Sequence, residues 1–127
     1  NTIYTILDNY WSVVKNRMPD AILEARDHVI QKSPGIFSLH YLLIELCKVI
    51  KASDEKLTDI KSFEKRLNSE ELDFMVQGFW ANDRDNPGEA TKFGSMKGFK
   101  VLSEAMLKNV VDASENQADK KSATEVF

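Results

Sequence analysis

Cysteine occurs once in the 127 residues, at Cys47, so no internal disulfide framework can form and the chain suits a reducing compartment. Histidine occurs only at His28 and His40. Together with Cys47 these fall short of the four ligands that a structural zinc site wants, and none stands at ligand spacing. No apolar run reaches the roughly eighteen residues of a membrane span, and no signal peptide is visible. A cytoplasmic location without a membrane partner is therefore expected. Cations are not in excess: 17 Lys and Arg against 20 Asp and Glu leave a net charge of −3, which gives no overall positive field toward nucleic acid. With 5 glycines and 3 prolines, punctuation is sparse and marks boundaries where it clusters.

Catalytic constellations are missing as well. Nucleophilic catalysis needs a base beside the nucleophile, but His40 and Cys47 stand two helical turns apart, roughly 10 Å by the helix rise. The acidic stretch Asn82-Asp83-Arg84-Asp85-Asn86-Pro87-Gly88 fails as a calcium loop. Counted from Asp83, its fifth place is Pro87 and its twelfth is Gly94, where oxygen ligands are required. A solvated turn is the better reading. No enzyme, no metal and no cofactor is expected.

What is present is an ordinary globular composition, 43% apolar and 29% charged, in a length that suits one domain. The chain is organised around residues 33–50. Between Gly35 and Ile50 only Glu45 and Lys48 are charged, and Ile36, Leu39, Leu43, Leu46 and Ile50 recur at helical spacing. Phe37, Leu42, Ile44 and Val49 widen the stripe beyond one face, so this helix needs neighbours on most sides. Ser33 reads as its N-cap and Pro34 as its first helical residue. The expectation is an all-α fold: a single small domain of about five helices around a buried central helix, about 34–52.

The flanking segments follow the same logic. Asn1 and Thr2 offer caps for a first helix to about Met18, with Ile3, Leu7, Tyr10 and Val14 on one stripe and Tyr4, Trp11 and Met18 beside it. Pro19 closes it. Residues 20–32 read as a connector, with a short helix at 21–26 and an extended piece at 28–31. Ser53 or Asp54 is expected to cap a third helix through Leu57, Ile60 and Leu67, whose outer face has mixed charge. A short helix through Leu72, Met75, Val76 and Phe79 ends at Trp80, and a loop covers 81–91. Helical spacing returns from Ser95 with Met96, Phe99, Leu102, Met106 and Val110. Gly94 and Gly98 at its start allow close backbone approach. The domain is expected to span 1–111, with 112–127, poor in apolar residues, as a disordered or frayed tail.

Two groups of residues are candidates for contact. Lys92, Ser95, Lys97 and Lys100 lie at a helix start, where backbone N–H groups favour an anion or a nucleic-acid backbone. They lack P-loop spacing, and a tight loop-to-helix turn is the plainer account. Tyr10, Trp11, Phe79 and Trp80 could form an aromatic cleft for a small ligand, although aromatic stripes at helical spacing more often pack into a core.

Three segments, taken in order, carry a resemblance: Leu7-Asp8-Asn9-Tyr10-Trp11 through Met18-Pro19, His28-Val29-Ile30-Gln31-Lys32-Ser33-Pro34-Gly35-Ile36, and Phe93-Gly94-Ser95-Met96-Lys97-Gly98-Phe99. The chain resembles the helical C-terminal region of bacterial DGQHR-domain proteins, which include DndB-like proteins of DNA phosphorothioate-modification systems. The likeness spans most of Ile3 to Leu107. The D-G-Q-H-R signature is absent, so the module that carries it would lie upstream of Asn1, an opening residue other than Met that leaves room for a longer parent. No catalytic motif carries over. The resemblance implies a non-enzymatic helical module in DNA modification, defence or its transcriptional regulation. It would act through protein contacts, homo-oligomers included, or through accessory contacts to DNA made with the rest of a longer chain. The alternative is a free-standing helical adaptor or small-ligand-binding domain with no link to DNA.

Overall fold

The computed structural model describes the backbone of residues 1–126 and the side chains of residues 1–117. Five α-helices make up the fold: α1 Thr2–Arg17, α2 Pro19–Leu23, α3 Ser33–Ala52, α4 Ile60–Leu67 and α5 Met96–Val126. Short 3-10 turns at Ala25–Asp27, Gln77–Trp80 and Glu89–Lys92 join them. Among the described residues there is no strand, and the one isolated bridge pairs His28 with Ala81. The all-α expectation holds, with α3 at the centre.

Asn1 caps α1, its side-chain oxygen accepting the Ile3 N–H at 2.9 Å. α1 stops at Arg17, and Pro19 opens α2, where its fixed φ suits the first turn. Two side-by-side pairs of helices build the core. α1 lies along α4 in the same direction: Asn9 Nδ2 donates to the Thr58 carbonyl, Tyr10 meets Phe63 edge to face, and Arg17 donates to the Leu67 and Ser69 carbonyls. Arg17 thereby satisfies the carbonyls that end α4. α3 runs parallel to α5, with Phe37 stacked on Phe99 at 5.8 Å near their starts. Tyr10 joins the two pairs, its buried hydroxyl donating to the Leu39 carbonyl at 2.7 Å.

Gly35 is where α3 is fixed. A Cβ there would sit 1.9 Å from the Ile30 carbonyl oxygen, so the first turn of α3 rests directly on the 29–30 backbone. The Gly35 N–H donates to the Val29 carbonyl at 3.2 Å, and Val29 donates to the Trp80 carbonyl at 2.8 Å. Gly88 makes a second close approach, its would-be Cβ 2.4 Å from the carbonyl oxygens of Gly78 and Phe79. At Gly94 and Gly98, where the sequence suggested close approach, the surroundings are open or at ordinary contact distance.

Several boundaries differ from expectation. Lys32, not Ser33, occupies the cap position of α3, and Ser33 is already helical. Ser53 and Asp54 close α3 and do not open the next helix: Ser53 Oγ donates back to the Val49 carbonyl, and Asp54 turns the chain at φ 58°. α4 starts later, capped by Asp59, whose carboxylate accepts the Lys61 N–H at 3.0 Å. Between Glu71 and Trp80 the expected helix is replaced by turns and a 3-10 turn. Phe74 is fully buried there, Val76 faces out, and the Trp80 indole donates to the Phe74 carbonyl at 2.6 Å.

The first turn of α1 stands off the body, with Ile3 and Tyr4 68% and 70% exposed, so they are not core. The boundary expected after residue 111 falls inside α5. Ala113, 3% exposed, packs into the core, and good helix formers such as Ala, Glu, Gln and Lys carry the backbone on to Val126. Side chains from 118 onward, and Phe127 altogether, lie outside the described residues, as does that part of the expected tail.

Candidate interaction surface

The parallel packing of α3 on α5 leaves a seam along their outer edge. At one end it opens into a hollow of ≈290 Å³ lined by Tyr41, Ile44 and Glu45 of α3 and by Lys100, Glu104 and Leu107 of α5. Leu107 also lines a second hollow of ≈190 Å³, where Val49, Val110, Val111 and the stem of Arg66 make an almost wholly apolar floor. Ile44, Val49 and Val111 are 54%, 37% and 41% exposed. The same helices bury Leu39, Leu42, Leu43 and Leu46 on one side and Leu102, Met106 and Val110 on the other. The breadth of the α3 apolar stripe thus has two sources, a core face and an exposed seam, and the sequence alone does not separate them.

A polar anchor fixes the far end of the seam. Arg66 is buried and contacts Glu55 Oε2 at 2.5 Å, an ion pair and not a well-angled hydrogen bond. It also donates to the Ser62 carbonyl at 2.9 Å and to Ser53 Oγ at 3.3 Å. Lys65 reaches Glu55 Oε1 at 2.8 Å. The hydrogen bond from Lys65 and the close Arg66 guanidinium hold the Glu55 carboxyl below its usual range. This cluster ties the end of α3 to α4 and keeps Arg66 from projecting a free charge into the seam.

The lysine group occupies the near end. Lys92, Ser95, Lys97 and Lys100 are all exposed. Ser95 sits just before α5, and its hydroxyl accepts the Gly98 N–H at 3.1 Å, so one of the backbone donors suggested for an anion is already satisfied. Lys92 is paired with Glu89 at 3.0 Å. Lys97 and Lys100 have no ion pair among the described residues.

The four aromatics do not share one cleft. Tyr10 and Trp80 are fully buried, with their polar atoms bonded to backbone carbonyls. Burial pushes the Tyr10 hydroxyl far above its usual pKa, with Cys47 adding to the effect. Trp11 borders a hollow with Asp8, Ser12, Lys15 and Gln31, whereas Phe79 borders a different one with Asp73, Pro87 and Glu89. The Trp11 indole donates to His40 Nε2 at 3.0 Å, which assigns the ring proton of neutral His40 to Nδ1. Burial lowers the pKa of His40. His40 is thus committed to Trp11, and Cys47 is half-buried, its thiol pushed up by burial with Lys51 partly offsetting this.

His28 Nδ1 lies 3.0 Å from the Glu24 carbonyl and donates to it, which makes it part of the connector. In the acidic loop the Asp85 N–H is held by Asp83 Oδ1 at 3.0 Å, the geometry of a turn. Among the described residues, no group of three or more His, Cys, Asp or Glu could hold a metal ion, and no helix is long and apolar enough to cross a membrane. No family model matches the chain, and neither does any curated protein or solved structure.

Proposed function

We propose that this chain is a non-enzymatic helical module of a DndB-like protein, serving DNA modification, defence or its transcriptional regulation, and that it works by contact through the outer face of α3 and α5. The observation that carries the contact reading is the exposed seam, where Ile44, Val49 and Val111 face solvent along a groove floored by Leu107. Scattered apolar residues on a surface are ordinary, whereas two hollows that share Leu107 between a pair of helices, the far one almost wholly apolar, offer a place for side chains of a partner. The DNA setting comes from the resemblance of the segments around Trp11, Gly35 and Ser95 to the DGQHR-domain proteins.

An accessory contact to a nucleic-acid backbone belongs to Lys97 and Lys100, which are exposed and without ion pairs among the described residues. The chain as a whole is negative, so such a contact is local and weak by itself. Fluorescence anisotropy with a labelled duplex over a salt series tests it. Each phosphate contact contributes about 0.9 to the log–log salt slope, so Lys97→Ala with Lys100→Ala should lower the slope by about 2. Lys92→Ala should change it less, since Lys92 is engaged with Glu89. Binding that does not depend on salt, or no binding by a full-length protein containing this module, would remove DNA contact from the proposal.

A further inference from the structure

Three consecutive residues of α1 tie it to the body of the fold by side-chain hydrogen bonds. Asn9 Nδ2 donates to the Thr58 carbonyl, the Tyr10 hydroxyl to the Leu39 carbonyl, and the Trp11 indole to His40 Nε2 at 3.0 Å. The first two acceptors are backbone carbonyls, which do not titrate. The third is an imidazole nitrogen, and an indole N–H can only donate. The bond therefore needs the lone pair of Nε2, the same pair that takes up a proton when neutral His40 becomes charged. Indole and proton compete for one site, because an imidazolium has no acceptor left to offer.

The surroundings let that competition be settled locally. The two rings meet edge to face, 5.6 Å between centroids and 89° between planes, and His40 is only half-buried, so water reaches the ring. On its other side Trp11 borders the open hollow of Asp8, Ser12, Lys15 and Gln31, which gives the indole room to swing away. Nearby charges do not decide the matter. From α1, Asp8 and Lys15 border the hollow with opposite signs, and α2 contributes only the uncharged Ile22. On α3, Glu45 and Lys48 pair with each other at 3.0 Å, and Lys51 acts on Cys47, whose thiol burial pushes up. On the connector, Lys32 is engaged with the Arg26 carbonyl. Burial is the one cause that lowers the His40 pKa, in keeping with a ring held neutral by its place against Trp11. We infer that the Trp11–His40 pair is a proton-operated latch between α1 and α3, closed while His40 is neutral and opened by its protonation. Opening frees the indole into the hollow, while Asn9 and Tyr10 keep α1 in place.

Trp11 and Trp80 are the two tryptophans of the chain, so a nitrogen–proton correlation spectrum carries two indole signals. Trp80, fully buried and bonded to the Phe74 carbonyl, serves as the internal reference. As pH falls, the Trp11 indole proton should move upfield with a midpoint below 6.5 and exchange with water several-fold faster, while Trp80 stays fixed. His40→Gln supplies an acceptor that does not titrate and should hold Trp11 in its closed position throughout. His40→Leu, which has no acceptor, should give the open signal at every pH. Asp8→Asn should titrate like the unaltered chain. Joint movement of both indoles at one midpoint would mark global acid unfolding and overturn the latch. A Trp11 signal that ignores pH, or one that still titrates in His40→Gln, would overturn it equally.

Discussion

At the scale of single residues, Gly35 does the most to position the central helix. Its missing side chain lets the first turn of α3 lie against the Ile30 carbonyl, and a methyl group there would overlap backbone that cannot swing away. Gly35→Ala should destabilise the fold by about 3 kcal/mol, at the upper end of the usual overpacking range, measured by urea denaturation. A loss below about 0.5 kcal/mol would mean that the contact is slack. His40 sets a pH window of its own. Burial lowers its folded-state pKa below the ordinary 6.5, so the unfolded chain takes up the proton first, and stability falls as pH drops below that value. Glu55 acts in a lower window: its depressed pKa contributes stability above its unfolded value of 4.5, and this is lost as pH falls through the folded value. Thermal unfolding followed from roughly pH 7 to 5 should therefore flatten in His40→Gln, while the steeper loss at lower pH persists. If His40→Gln leaves the upper window unchanged, the Trp11–His40 pair is not the source.

At the scale of elements, the turn between α3 and α4 depends on Asp54 adopting a positive φ of 58°. A left-handed conformation costs a residue with a Cβ roughly 1–2 kcal/mol, which glycine avoids. Asp54→Gly should thus raise stability by up to about 1 kcal/mol, after allowing for glycine's greater freedom in the unfolded chain. A drop in melting temperature would show that the aspartate makes an unrecognised favourable interaction. The same turn shows what could and could not be read from the sequence. Ser53 and Asp54 are good capping residues, and the pattern alone did not say whether they close the helix before them or open the one after.

The segment from Leu72 to Trp80 was unreadable for a related reason. Leu72, Met75, Val76 and Phe79 have helical spacing, yet tertiary pull from Trp80 and Asn109 decides the backbone. Asn109 of α5 accepts the Asp73 N–H and donates to the Glu71 carbonyl, satisfying groups that a helix would have paired internally. The central helix itself was legible because its apolar density admits few alternatives.

For the molecule as a whole, the candidate surface was only half legible. Lys92, Ser95, Lys97 and Lys100 stand out for their place at a helix start, and only the structure shows Lys92 paired with Glu89 and the Ser95 hydroxyl engaged with the Gly98 N–H. The seam does not stand out, because Ile44 and Val49 are indistinguishable in sequence from the residues that α3 buries, and only the packing of α5 reveals which of them remain uncovered. The aromatic residues show the converse: by type Tyr10 and Trp80 suit a ligand cleft or, more often, a core, and their full burial and hydrogen bonds to the Leu39 and Phe74 carbonyls place them in the core. The resulting molecule has a firmly anchored interior and an α3–α5 edge on which apolar Ile44, Val49 and Val111 stay exposed among the described residues. That edge is the surface to which the proposed contact function is assigned.

Hydrogen–deuterium exchange of this chain alone and of a full-length protein containing it tests this most directly. The α3–α5 edge, at residues 41–49 and 97–115, should gain protection in the full-length protein, while the exposed first turn of α1 around Ile3 and Tyr4 should not change. Protection that rises at α1 instead, or at no segment, would contradict the account.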